Sequence, residues 1–368
     1  MQINRVQTAK QPVHHNTLDG LRGIMALGVL LAHVKMAWFP GAHIFMDIFF
    51  VISAFLITTT LKKGIERRHD IQLKTFWSRR LLRLYPALVT VVVTYTIIAF
   101  FVQDAMEPIL KDGLLTLLYV SNFTKLENYD WPHFFGHTWS LSIEEQFYLV
   151  WPVLLVLLLR FDALWRLRVP LLITAIVASI CWRLYLVGSD AQWERLYYGS
   201  DTRIDAFIVG GLLAFFRDDL LALADKSRLF LGFLHIATVS LFLAVALWDP
   251  KTLYYFIWQQ PTVLILTCLT IVLLTRDADS VVRRLFSNRI LAWLGVRCYG
   301  IYLWHWPMIW LLLVNTKIRE FELLAIVFPA TMFLSWAMYK YIEEPILKRR
   351  PAMKTREPSV AQDPAAIT

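Results

Sequence analysis

Cysteine is scarce and charge is sparse in this 368-residue chain, which holds three cysteines and 18% charged residues. Cys181, Cys268 and Cys298 fall in or beside apolar stretches with no paired or metal-like spacing, so neither disulfides nor a zinc site is expected. Residues 1–15 are polar and contain no short apolar core followed by a small-residue cleavage site. No removable signal peptide is therefore expected, and the first apolar run stays in the chain. Internal repeats are absent, and so is any stretch that reads as a soluble second domain.

What is abundant is apolar surface. With 57% hydrophobic residues and 14% aromatics, the chain cannot hide its apolar content in one soluble core. The composition points to an all-α integral membrane protein that crosses the bilayer many times. Ten apolar runs long enough to span read as about 18–38, 44–62, 84–103, 142–160, 169–187, 203–217, 229–248, 257–275, 297–315 and 322–346. A shorter stretch, Gly113 to Val120, suits a re-entrant or interfacial segment. With the N-terminus in the cytoplasm, 27 of the 37 Lys and Arg residues fall on the cytoplasmic side and eight on the other. That asymmetry is what the positive-inside rule demands, and ten spans bring both termini to the cytoplasm. The net charge of +9 then fits a membrane surface rather than nucleic acid, because the basic residues lie in short loops between apolar runs. The expected organisation is a cytoplasmic segment 1–16, a membrane domain 17–348 and a disordered cytoplasmic tail 349–368, rich in proline. The longest outer segment, about 103–141, carries Asp, Asn, His and aromatic residues and reads as a long functional loop.

The stretch Thr17 to Val34, TLDGLRGIMALGVLLAHV, organises the rest. It places Asp19 and Arg22 at the start of an apolar helix and His33 deep inside it, where ionisable groups are costly. Arg22 and His33 stand eleven residues apart, which on a helix leaves them only about 20° apart in azimuth and about 16 Å apart along the axis. A cation at the membrane surface thus stands below an imidazole near mid-depth. The alternative is an interfacial anchor and a core histidine bonded to a neighbouring helix.

Five further segments carry polar groups at spanning depth. Phe76 to Pro86, FWSRRLLRLYP, sets Arg80 and Arg83 on one helical face, where two guanidinium forks suit phosphate groups or, alternatively, lipid heads. His137 to Pro152, HTWSLSIEEQFYLVWP, carries Glu144 and Glu145 about one turn inside a span, suited to accepting a proton or pairing an imidazolium, or to favouring a helix N-terminus. Arg203 and Asp205 open RIDAFIVGG; they either pair with each other or frame an outer pocket. Tyr302 and His305 share a face within LGVRCYGIYLWHWP, although His305 also suits an interfacial aromatic belt. In YIEEP, Glu343 lies near Lys340 and Lys348, and an ion pair is expected.

Taken in order, LDGLRGIMALGVLLAH with its Arg22-x10-His33 pair, FMDIFFVISAFLI, RRLLRLYP, WSLSIEEQFYLVWP, RIDAFIVGG, LGVRCYGIYLWHWP and YIEEP resemble the successive motifs of the acyltransferase-3 family of bacterial membrane O-acyltransferases. Two local departures are Ala54, where the family's ISGFL pattern has Gly, and Cys298, where a Ser commonly precedes the Tyr. The chain resembles the stand-alone form, without an appended esterase-like domain. The resemblance implies that Arg22 and His33 are essential, that Arg80 and Arg83 lie near an acyl-CoA donor, and that Ser53 and Glu144 border the reaction centre.

The expected activity is transfer of an acyl group, acetyl foremost, from cytoplasmic acyl-CoA to a hydroxyl of a carbohydrate or glycolipid in a multi-pass cell-membrane enzyme without metal or resident cofactor. On this reading His33, polarised by a carboxylate such as Glu144, deprotonates the acceptor hydroxyl. Ser53 or Tyr302 faces the developing oxyanion, and Tyr302, His305, Arg203 and Asp205 support the acceptor side. A two-step route through a covalent acyl-enzyme is the variant, though neither a Ser-x-Gly elbow nor an activated cysteine argues for it. The rival class is a proton-coupled glycan or lipid transporter, which needs no arginines for CoA.

Overall fold

The computed structural model describes residues 16–34, 40–68, 73–102, 106–127, 134–249, 251–318 and 320–349. Its helices run in order as α1 (Asn16–His33), α2 (Ile44–Arg68), α3 (Leu73–Val102), α4 (Met106–Leu117), α5 (Ser121–Glu127), α6 (Trp139–Arg160), α7 (Asp162–Gly188) and α8 (Trp193–Tyr198). They continue as α9 (Ser200–Lys226), α10 (Arg228–Leu247), α11 (Gln260–Thr275), α12 (Val281–Phe286), α13 (Arg289–Val296), α14 (Cys298–Asn315), α15 (Glu320–Met338) and α16 (Glu344–Lys348). Among the described residues there is no strand, and the helices satisfy their backbone hydrogen bonds internally, as one of the two arrangements that hydrocarbon permits.

Seven helical segments are long and apolar enough to cross a bilayer: 40–65, 73–102, 136–158, 166–188, 228–247, 255–275 and 320–348. They answer seven of the ten expected runs. The other three runs form α1, α9 and α14, each of 18 residues or more, whose apolar sequence is diluted by Asp19, Arg22 and His33, by Asp201, Arg203 and Asp205, or by Tyr302 and His305. These polar residues need partners away from lipid, and the three helices are correspondingly rich in buried positions.

Small residues let the backbones approach. Gly295 of α13 lies so near α1 that a Cβ there would come within 1.8 Å of the Asp19 carbonyl oxygen, and one on Gly20 would come equally close to that of Phe286. α2 and α9 meet in the same way, with Gly210 against the Val51 carbonyl.

The segment expected to be a long loop is instead largely helical. Amphipathic α4 packs along α3, and buried Asp112 accepts a hydrogen bond from the Phe134 backbone N–H at 2.8 Å. The short apolar stretch Gly113–Val120 falls at the end of α4, where Leu110, Leu114 and Leu118 are exposed on one face and do not cross. Trp131, His133, the segment 1–15 and residues 350–368 of the tail lie outside the described residues.

Candidate active site

Three adjoining cavities form a polar column through the helices. The first, about 610 Å³, is lined by Arg22, Arg80, Arg83, Ser53 and Glu144 among others. The second, about 470 Å³, shares Arg22, Ser53 and Glu144 with it and reaches Tyr302 and Cys298. The third, about 550 Å³, shares Tyr302 and Met46 with the second and contains His33, His43 and His137. Arg22 and His33 face this column from one helix, as their spacing requires.

At the arginine end the three guanidinium groups are held differently. Arg80 donates from Nε and Nη2 to Glu145 at 3.0 and 2.8 Å and lies 3.1 Å over the Tyr148 ring. Arg83, three residues on, makes no hydrogen bond or ion pair among the described residues. Among the described residues Arg22 has only Asp19, at 3.6 Å. Two cations are thus available to an anion while a third is tethered beside them.

The two neighbouring glutamates part company because consecutive helical residues project about 100° apart. Glu145 turns to Arg80. Glu144 lines the first two cavities, where it accepts from the Ser53 hydroxyl at 2.5 Å and from the Tyr148 hydroxyl at 3.2 Å. It is not hydrogen-bonded to His33, so the expected carboxylate–imidazole pair is replaced by something else.

That replacement is His305, an α14 residue only 1% exposed and so no member of an interfacial belt. Its Nδ1 lies 3.1 Å from the Ile301 carbonyl oxygen, and its Nε2 lies 2.9 Å from Nδ1 of His33. A carbonyl only accepts, so His305 Nδ1 carries the proton and, in a neutral pair, Nε2 offers its lone pair. His33 Nδ1 must then be the donor. The unshared pair of His33 consequently sits on Nε2, the nitrogen a general base needs.

Tyr302 also departs from expectation. Its hydroxyl donates to the His137 backbone carbonyl and sits 2.7 Å from Ser140 Oγ, so its proton is committed to the backbone rather than offered to an oxyanion. Residue spacing assigns neither His43 nor His137 to a cavity; the signals for His137 are its place in the long outer segment expected to be functional and at the head of the α6 motif.

Arg203 and Asp205 neither pair with each other nor line the column. Positions two apart on a helix face about 200° away from each other. Arg203 accordingly meets Asp47 of α2 at 2.9 Å, and Asp205 meets Arg183 of α7 at 2.8 Å, all four side chains being almost fully buried. Tyr255 and Gln260 add hydrogen bonds to Asp47, and the Arg203 guanidinium lies 4.6 Å over the ring of Tyr197, a wall of the third cavity. These pairs brace that wall from behind.

Glu343 is likewise without the expected lysine. Lys348 binds Glu344 at 2.7 Å, while a π-helical turn over Tyr339–Glu343 carries Glu343 inward, where one carboxylate oxygen has no hydrogen-bond partner. Among the described residues no cluster of three His, Cys, Asp or Glu side chains is arranged to hold a metal.

The architecture is that of a multi-pass membrane protein with one polar column in its interior. The model of the acyltransferase domain of the acyltransferase-3 family matches residues 15–340, and the chain belongs to that family. Among curated proteins it is 33% identical to the peptidoglycan O-acetyltransferase OatA of Listeria monocytogenes, over 90% of this chain and 56% of that protein. It is 30% identical to the O-acetyltransferase OatA of Staphylococcus aureus, over 94% and 59%. The putative peptidoglycan O-acetyltransferase YrhL of Bacillus subtilis is 31% identical over 89% and 54%. The chain therefore spans a little over half the length of these relatives. No solved structure matches it.

Proposed function

We propose that the chain is a membrane O-acetyltransferase that takes an acetyl group from acetyl-CoA on the cytoplasmic side and places it on a hydroxyl of an envelope carbohydrate. The observation that carries this reading is the His33–His305–Ile301 hydrogen-bond chain, which leaves a basic Nε2 at one end of a column whose other end is lined by arginines. The names of the relatives support acetyl as the group and a peptidoglycan-type glycan as the acceptor class. The Lys and Arg asymmetry supports the arginine end as the cytoplasmic one.

In the proposed cycle the phosphates of CoA bind Arg83 and Arg22, with Arg80 available once it leaves Glu145, and the pantetheine arm lies along the column. The acceptor occupies the third cavity. His33 Nε2 takes the proton of its hydroxyl as the oxygen attacks the thioester carbonyl, and the proton passes to the departing thiolate. The bond formed is the oxygen ester and the bond broken is the carbon–sulfur bond, so no oxidant, reductant or metal is required. Ser53, already donating to Glu144, keeps that carboxylate beside the path, on the same cavity wall as Arg22.

The test is transfer of radioactive acetyl from acetyl-CoA into membrane glycan by vesicles containing the wild type or His33→Ala. The variant is expected to insert and fold but to transfer nothing above background. Wild-type turnover by H33A ends the proposal.

A further inference from the structure

Of the three imidazoles that line the third cavity, His33, His43 and His137, His137 is the one with both ring nitrogens unoccupied among the described residues. His137 sits in the 3-10 turn Gly136–Thr138 ahead of α6, its side chain is 4% exposed, and neither ring nitrogen has a hydrogen-bond partner among the described residues. Buried polar atoms are nearly always paired, so an imidazole aimed into a cavity with both nitrogens unsatisfied marks a place for a ligand. The residue is firmly held by other means. Tyr302 donates to its backbone carbonyl, and its ring packs 5.0 Å from Tyr302 and 5.4 Å from His305.

The groups around the ring bear on how a ligand would meet it. The ring faces the backbone carbonyls of Tyr302 and Leu303, without reaching hydrogen-bond geometry. The Leu303 carbonyl lacks its intrahelical donor, because the residue four further on is Pro307, which has no N–H. A neutral imidazole has one N–H and one lone pair. With the N–H attracted to those carbonyls, the lone pair is left for a donor arriving in the cavity. His33 offers a second lone pair on the same space, and both rings pack on His305, at 5.0 and 5.4 Å. Trp139, Tyr197 and Tyr198 line it too, beside His43, and aromatic rings are the groups that pack against the C–H face of a sugar ring.

We infer that His137 is the residue that orients the acceptor: it accepts a hydrogen bond from a second O–H or N–H of the sugar whose hydroxyl His33 deprotonates, so that the site selects sugars carrying such a neighbouring donor over simple alcohols. This rests on the acetyltransferase reading above. His137 supplies binding and direction, and no bond to carbon forms on it.

The experiment uses the full chain in lipid nanodiscs, chitotriose as the acceptor probe and acetyl-CoA as donor, with His137→Phe, which keeps a ring of similar size, and His137→Gln, which keeps an acceptor and a donor. H137F is expected to weaken chitotriose binding, and to raise its half-saturating concentration in transfer, by about tenfold or more, while acetyl-CoA affinity and maximal rate stay within about threefold of wild type. H137Q is expected to recover most of the loss. Equal chitotriose binding by wild type and H137F, an H137Q no better than H137F, or a wild type that binds no chitotriose each overturns the inference. Should H137F fail to fold, the wild type alone decides: the unprotonated ring nitrogen of His137 is expected to shift in the 15N spectrum on adding chitotriose, and an unmoved resonance overturns the assignment. A wild type that binds chitotriose but not acetyl-CoA instead sinks the donor reading and leaves the His137 site standing.

Discussion

His33 of α1 and His305 of α14, 272 residues apart in the chain, are joined nitrogen to nitrogen at 2.9 Å, and His305 is itself tied to its own helix through the Ile301 carbonyl. A neutral imidazole pair so tied has only one tautomeric arrangement. Replacing His305 with Phe keeps the stacking volume beside His33 but removes the acceptor, so His33 is free to carry its proton on Nε2 and lose basicity toward the hydroxyl. Turnover is expected to fall by about 10²-fold or more, within the range a positioned base contributes, with half-saturating acetyl-CoA unchanged. His305→Gln, whose amide oxygen accepts from His33 Nδ1, is expected to lie between. Steady-state transfer kinetics on the three proteins check this ordering.

Arg83 and Arg80 separate an enzyme that binds CoA from a carrier that does not. Arg83 lines the column without a hydrogen bond or ion pair among the described residues, whereas Arg80 is forked onto Glu145. A charge-assisted hydrogen bond to phosphate is worth about 1.5–3 kcal/mol, or roughly 10- to 150-fold in affinity. Arg83→Ala is therefore expected to raise half-saturating acetyl-CoA by at least tenfold at unchanged acceptor affinity, and to flatten the salt dependence of donor binding. Isothermal titration with CoA reads it directly, and a proton-coupled transporter would show no such change.

Much of this was legible because it is local. Apolar runs announce helices, and Arg22 and His33 share a face because eleven residues make nearly three whole turns. Partners across the bundle are another matter. Nothing in the spacing near Glu144 says that it takes Ser53, 91 residues away, rather than His33, and nothing near Asp47 points to Arg203. The supposed Arg203–Asp205 pair was already excluded by periodicity, since residues two apart on a helix diverge. Pairing by proximity in sequence is open at three or four residues, where Asp19 meets Arg22 but Glu343 does not meet Lys340, and is closed at two.

The two crossed ion pairs behind the third cavity make a prediction about stability rather than rate. Arg183 and Asp205 are 0% and 1% exposed, so removing one partner strands a buried charge and is expected to cost about 3–5 kcal/mol. Asp205→Asn alone should lower the unfolding temperature in detergent markedly. The double variant Arg183→Met with Asp205→Leu should recover most of that loss, because a well-packed apolar pair avoids the desolvation penalty. Thermal unfolding followed by tryptophan fluorescence on the two variants distinguishes a structural brace from an acceptor-binding role, which would instead weaken glycan affinity in a stable protein.

The seam between α1 and α13 sets the position of Arg22 and His33 relative to everything else, and it tolerates no side chain. A Cβ on Gly295 would stand 1.8 Å from the Asp19 carbonyl oxygen and one on Gly20 equally near that of Phe286, and backbone atoms cannot swing aside as a flexible side chain can. Gly295→Val must therefore push the two helices apart along their length. Because α1 then shifts against α14, the His33–His305 bond should lengthen beyond use even if the protein still inserts. The expected outcome is a variant with poor monodispersity on size exclusion and no transfer. Gly64→Ala, at a position with no atom within 4 Å of the added carbon, is expected to behave as wild type in both measurements.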